Sequence, residues 1–137
     1  MEQECLFCRI RDKKSPSAVV YEDGRTLAFL DIMARAPGHT VVISKQHSEN
    51  LLDLPKSELA PLFETVQKVA ERLTSVLKAD GLTVGINQGS VSGQVVKHLH
   101  IHVMPRFTGD GGSAIQSLVH NPPTQSMEEL YALLKMS

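Results

Sequence analysis

Between Gly93 and Arg106 the chain reads Gly-Gln-Val-Val-Lys-His-Leu-His-Ile-His-Val-Met-Pro-Arg, and this stretch sets the terms for everything else. Side chains on a strand alternate between its two faces. A strand here puts His98, His100 and His102 on one face and Leu99, Ile101 and Val103 on the other. The apolar face has a core to enter. The opposite face presents three imidazoles, which titrate near neutral pH, bind metals and serve as nucleophile, acid or base. On the residues alone, a metal site and a catalytic site are both open.

The rest of the chain supplies the sheet. Ala18–Glu22 is rich in β-branched and aromatic residues and predicts a strand. Asp23-Gly24 predicts a hairpin turn, and Thr26–Ile32 a return strand closing on Asp31. That acid suits a turn or cap, and it equally suits hydrogen bonds to a vicinal diol. Thr40–Ser44 predicts a third strand with His39 and His47 at its ends, and Leu82–Asn87 a fourth. Gln88–Gln94 is a small polar loop ahead of the histidines, either a plain connection or a cradle of backbone N–H groups for an anion.

From Leu54 onward, apolar residues from Leu59 to Leu77 recur mostly at threes and fours, the pattern of one amphipathic helix with a buried stripe. Pro61 falls in its first turns, and Asp80-Gly81 predicts its stop, with Gly81 left-handed. Ser126-Met127-Glu128-Glu129 is a capping-box sequence that predicts a short terminal helix. Strands joined by hairpin-length connections favour antiparallel pairing and an α+β fold. With 137 residues, 42% of them hydrophobic and a net charge of −1, the chain fits one globular domain with no basic field for nucleic acid. No apolar run is long enough to span a membrane. With no signal-peptide pattern at Met1–Cys5, a cytoplasmic location is expected.

Cys5 and Cys8 are the only cysteines. Almost nothing precedes them, whereas a redox C-x-x-C follows a strand. They fit half of a zinc site or a pair of partly buried thiols.

His98-Leu99-His100-Ile101-His102-Val103-Met104 resembles the signature of the histidine triad (HIT) family of nucleotide hydrolases and transferases. Cys5–Ile10, Leu27–Ile32, Pro37-Gly38-His39, Lys45-Gln46-His47, Asn87 and Gly93-Gln94 are similar to that family's pattern in its order. The likeness covers about residues 5–106 of a single domain spanning 1–137, with 107–137 a tail carrying the short helix. It implies a HIT-like fold: an antiparallel sheet of about five strands, one long helix, one or two short ones, and pairing into a homodimer.

It also implies a chemistry. His100 would attack the α-phosphorus of a purine nucleotide conjugate, such as a dinucleoside polyphosphate or a nucleoside phosphoramidate, and water would cleave the nucleotidyl-histidine. His102 would stabilise phosphate charge or help protonate the leaving group, and His39 would join them as a fourth histidine. Asp31 would hold the ribose hydroxyls. Phe7, Ile10, Phe29 and Ile32 would line the base pocket, and Asn87, Gly93 and Gln94 would meet phosphate or sugar. Many members carry Ser or Thr after the glutamine; this chain has Val95, which offers only its backbone N–H. In the zinc-bearing branch, Cys5, Cys8, His47 and His98 would hold a structural Zn2+. Two other readings of the same pocket are a non-catalytic purine-nucleotide sensor and a nucleotidyl transferase.

Overall fold

The computed structural model describes residues 4–136; the two ends of the assigned domain, residues 1–3 and 137, lie outside it. Five strands form one wholly antiparallel sheet. β1 (Val19–Glu22), β2 (Thr26–Leu30) and β3 (Thr40–Ser44) run in sequence, and β5 (His100–Arg106) inserts between β3 and the edge strand β4 (Gly81–Gly85), giving the order β1-β2-β3-β5-β4. Three helices accompany the sheet: α1 (Leu6–Arg11), α2 (Lys56–Leu77) and α3 (Met127–Leu134). This is the α+β architecture that the strand alternation predicts.

The two faces of the sheet carry separate cores. Ala28, Val42, Leu99, Ile101 and Val103 pack under Leu62, Val66, Val69 and Leu73 of α2. Leu27, Phe29, Val41 and Ile43 point the other way, onto Phe7, Cys8 and Ile10 of α1. α2 is therefore the cover its spacing predicts, but only one stripe is buried: Phe63, Val76 and Leu77 remain 40–57% exposed.

Two local details differ from expectation, while the β1–β2 hairpin turn falls where Asp23-Gly24 predicts it. α2 ends at Leu77 and is capped by Lys78, which takes the left-handed conformation itself (φ 58°); Gly81 is not left-handed and already belongs to β4. The β1–β2 turn does not use a left-handed glycine. Asp23 holds it instead, its carboxylate accepting the backbone N–H of Arg25 and of Thr26, both at 2.8 Å. Finally, β5 begins at His100, so His98 and Leu99 precede the paired strand; the Leu99 N–H donates to the carbonyl of Ser48.

Gly38 is the residue that seats the end of α2. Its φ is +91°, and a Cβ placed there would lie 2.5 Å from Leu77 Cδ1 and 3.0 Å from Leu73 Cδ2. The bare backbone lets the helix close onto the loop that leads to His39.

Candidate functional site

The alternation in β5 does what it predicts. His100 and His102 face away from α2, and His98 follows the same side although it precedes the strand: the Phe7 ring lies 4.9 Å from His100 and 6.0 Å from His98, centroid to centroid. The histidines then divide into two clusters.

The first cluster joins three distant segments. Cys5 caps the N-terminus of α1, its sulfur accepting the Cys8 N–H at 3.3 Å. Cys5 Sγ lies 3.4 Å from His98 Nδ1, and Cys8 Sγ lies 3.2 Å from His47 Nδ1 and 3.5 Å from His98 Nδ1; the two Nδ1 atoms are 3.1 Å apart. A tetrahedral zinc with bonds of about 2.0–2.1 Å to nitrogen and 2.3 Å to sulfur needs N–N and N–S edges of about 3.3 and 3.5 Å. The measured edges are within a few tenths of an ångström of these.

The proton on His98 agrees with that geometry. Its Nε2 is 2.9 Å from the Ser44 carbonyl. A carbonyl only accepts, so Nε2 carries the hydrogen and Nδ1 presents its lone pair to the cluster. Burial pushes the His98 pKa down to about 4, which keeps the ring neutral. Four soft and imidazole donors with no open position make a closed, structural type of site, compatible with zinc.

The second cluster is the chemical one. His100 is buried, and its Nδ1 is 2.7 Å from the His98 carbonyl. By the same logic Nδ1 bears the hydrogen, and Nε2 keeps a free lone pair. Burial lowers the pKa of His100, of His102 and of His39, so all three tend to the neutral ring that a nucleophile requires. His102 Nδ1 lies 2.9 Å from His39 Nε2. Asp31 Oδ2 lies 3.6 Å from His39 Nε2 and 3.9 Å from His102 Nδ1, while its Oδ1 accepts the Met33 N–H at 2.9 Å.

The remaining candidates are spread around this pair of clusters. Phe7, Ile10 and Phe29 are buried together on the α1 side, with Phe7 edge-on to Phe29 at 5.3 Å. Ile32 is not with them: it stands 94% exposed beyond β2. The loop from Gln88 is tightly curled. A 3-10 turn at Ser90–Ser92 and left-handed Gly89 and Gly93 curl it, and Asn87 sits against Gly93. The Gln94 amide holds the curl, accepting the Gly89 N–H at 2.9 Å and donating to the Glu49 and Val96 carbonyls. Val95 projects from this loop, 89% exposed.

What sequence reading does not reach are the backbone groups: the carbonyls of Ser44 and His98, and the N–H of Arg35, which donates to His39 Nδ1 at 3.1 Å. Main-chain atoms are common to every residue, so no side-chain pattern flags them. A groove of about 560 Å³ between α2 and the β1 edge, lined by Val20, Leu30, Leu73 and Val76 among others, contains no histidine. Among the described residues, no helix is long and apolar enough to cross a membrane.

Residues 12–109 match the model of the HIT domain. An uncharacterized HIT-like protein of Methanocaldococcus jannaschii is 45% identical over 107 residues, 78% of this chain and 82% of the relative. Adenylylsulfatase HINT3 of Arabidopsis thaliana is 32% identical over 118 residues, 86% of this chain and 60% of that protein. Among solved structures, a Zn-bound histidine triad family protein from Mycobacterium smegmatis superposes with a TM-score of 0.77 at 38% identity, over 82% of each chain.

Proposed function

The chain belongs to the HIT family, and from that premise we propose that it hydrolyses purine-nucleotide conjugates through a covalent nucleotidyl-histidine at His100. One observation carries the reading: the 2.7 Å contact from His100 Nδ1 to the His98 carbonyl. It commits the proton to Nδ1 and leaves Nε2 as a neutral lone pair on the open face, a competent nucleophile near pH 7. Nε2 attacks the α-phosphorus, the bond to the leaving group breaks with its electron pair going to the departing atom, and water then displaces the imidazole. The Arabidopsis adenylylsulfatase supports this class of substrate, an adenylyl group on an acidic leaving group.

The other residues take supporting roles. His102 and His39 face the same pocket and stabilise charge that builds on phosphoryl oxygens. Asp31, with one oxygen turned to the histidines, accepts from the ribose hydroxyls. Phe7, Ile10 and Phe29 form the floor beneath the base, and Ile32 its exposed flank. Gly93, Gln94 and Asn87 shape the loop whose backbone N–H groups, including that of Val95, meet phosphate. Cys5, Cys8, His47 and His98 would hold a structural zinc, which supplies no chemistry to the substrate and ties α1 to the start of β5. The active protein is a homodimer in the cytoplasm.

The test is to trap the intermediate. The protein is mixed with an α-labelled activated ester of adenosine monophosphate, quenched at short times, and mapped by mass spectrometry. An acid-labile adenylate on His100, absent from His100→Ala together with turnover, is expected. Turnover without an adduct refutes the covalent route. Tight nucleotide binding with neither turnover nor adduct makes the protein a sensor. Transfer of the adenylate to an added acceptor in preference to water makes it a transferase.

A further inference from the structure

Asp31, His39 and His102 bring one carboxylate oxygen and two imidazole nitrogens within 4.8 Å of one another. Their separations of 2.9, 3.6 and 3.9 Å scatter around the edge of about 3.3 Å that a zinc-like ion with nitrogen and oxygen ligands requires. Three ligands with an open fourth position is the layout of a catalytic metal centre. Ligand identity and rough spacing make this a second candidate beside the cysteine cluster.

The atoms behind the ligands separate the two. A histidine that binds metal through one nitrogen carries its hydrogen on the other, and that hydrogen needs an acceptor. His98 has one, the Ser44 carbonyl. His39 has the reverse. Its remote nitrogen, Nδ1, receives the Arg35 backbone N–H at 3.1 Å. An N–H only donates, so Nδ1 of His39 is bare. The neutral ring therefore carries its hydrogen on Nε2, the atom that faces the cluster. A protonated nitrogen has no lone pair for a cation.

The consequence passes along β5. His39 Nε2–H donates to His102 Nδ1 at 2.9 Å, so the hydrogen of a neutral His102 sits on its Nε2. We infer that the Arg35 backbone N–H is a positioning group: it fixes the tautomers of His39 and His102, closes the Asp31–His39–His102 cluster to divalent cations, and leaves His102 as a neutral N–H donor. His39 is 3% exposed, so water does not compete for the arrangement. The inference deepens the hydrolase reading and rests on it for one point, that the group met by His102 Nε2–H is a phosphoryl oxygen. In that role His102 donates a hydrogen bond and keeps its proton. Leaving groups that depart as stable anions, such as phosphate or sulfate, then suit the site better than amines, which must leave protonated.

Two measurements on the full chain purified with zinc test this. Long-range proton–nitrogen correlation NMR of histidine-labelled protein at pH 7.5 reads each ring directly. Expected are a bare Nδ1 and protonated Nε2 on both His39 and His102. Hydrogen on Nδ1 of either ring, or a doubly protonated ring, overturns the inference. The second is a Co2+ titration of metal-stripped protein, followed by calorimetry and the cobalt d–d spectrum. Wild type is expected to take one equivalent, and Arg35→Pro, which deletes the N–H, a second one at least tenfold tighter than any second equivalent on wild type. Arg35→Ala, which removes the side-chain charge and keeps the N–H, behaves as wild type. Two tight equivalents on wild type, or a second on Arg35→Ala, refute the role of the amide. Should Arg35→Pro fail to fold, the NMR result on wild type decides. Neither readout needs turnover, so a failed adduct trap and a failed tautomer assignment are told apart.

Discussion

Replacing Gly38 by alanine tests how closely α2 is seated on the loop before His39. Two separate costs are expected. At φ +91° an L-residue is outside its comfortable range, which costs about 1–2 kcal/mol. The new methyl would also sit 2.5 Å from Leu77 Cδ1, 3.0 Å from Leu73 Cδ2 and 3.6 Å from Pro105 Cγ, and overpacking of this kind costs about 1–3 kcal/mol. Leu77 is 40% exposed and can swing out, whereas Leu73 is 7% exposed and cannot, so the packing cost belongs near the middle of that range. The sum is about 3 kcal/mol, or roughly a 10 °C fall in Tm for a domain of this size. Urea denaturation at pH 7.5 measures it, with Leu77→Ala as the partner in a double-mutant cycle. Shortening Leu77 is expected to return about 1 kcal/mol of the loss and no more, because the backbone term remains. A Gly38→Ala penalty under about 0.5 kcal/mol would refute both terms. Complete rescue by Leu77→Ala would refute the backbone term alone.

Three further outcomes are expected. In metal-stripped protein, His98 is neutral and buried with a pKa near 4 against about 6.5 unfolded, so the unfolded chain binds the extra proton between those values; stability is full above pH 6.5 and falls by about 3 kcal/mol in all by pH 4. Urea midpoints in EDTA across that range check this, and a curve that stays flat in wild type contradicts it. Cys8→Ser is expected to abolish the single zinc seen by native mass spectrometry, and EDTA is expected to lower the wild-type Tm by roughly 13 °C, about 4 kcal/mol for free zinc a thousandfold above Kd; a wild type that is metal-free and indifferent to EDTA removes zinc from the account. Ser126→Ala deletes a capping box in which the Glu129 N–H meets Ser126 Oγ at 3.1 Å, costing about 1 kcal/mol of local helix. Since no residue of α3 is buried, amide exchange in Met127–Leu134 should quicken while the global melt stays put.

Side-chain alternation made the essential architecture legible. Leu99, Ile101 and Val103 had to enter a core, so the histidines had to face away from it, and both clusters follow. The α2 stripe was equally readable in kind, though its spacing did not say that Phe63 and Val76 stay exposed, since a periodic pattern does not count the neighbours available to cover it. The helix stop was misplaced because Lys78 adopts the left-handed turn that glycine was expected to supply three residues later. α1 gave no signal beyond its cysteines: six residues are too few for periodicity to show. Ile32, which the family resemblance groups with Phe29, follows the run of β2 in sequence but lies past its last paired residue, exposed rather than buried with Phe29. The tautomer-setting atoms of Ser44, His98 and Arg35 were invisible for the reason that main-chain groups carry no sequence.

The strand order also dictates when the site comes into being. β1, β2 and β3 are joined in sequence and can zip locally, and β4 meets β5 across the curled loop of residues 86–99. Between these two halves runs a single seam, β3 against β5, which pairs Ile43 with His100 and Val41 with His102 across the whole length of α2. Closing it is the long-range, slow event in such a topology. Each cluster is completed across that seam: His47 meets His98 at one end, and His39 meets His102 at the other. The first half brings Cys5, Cys8 and His47 together and sets Asp31 beside His39, and the second carries His98, His100 and His102, so neither half holds a complete site, and a refolding reaction followed by nucleotide binding or by four-ligand metal uptake reports seam closure itself.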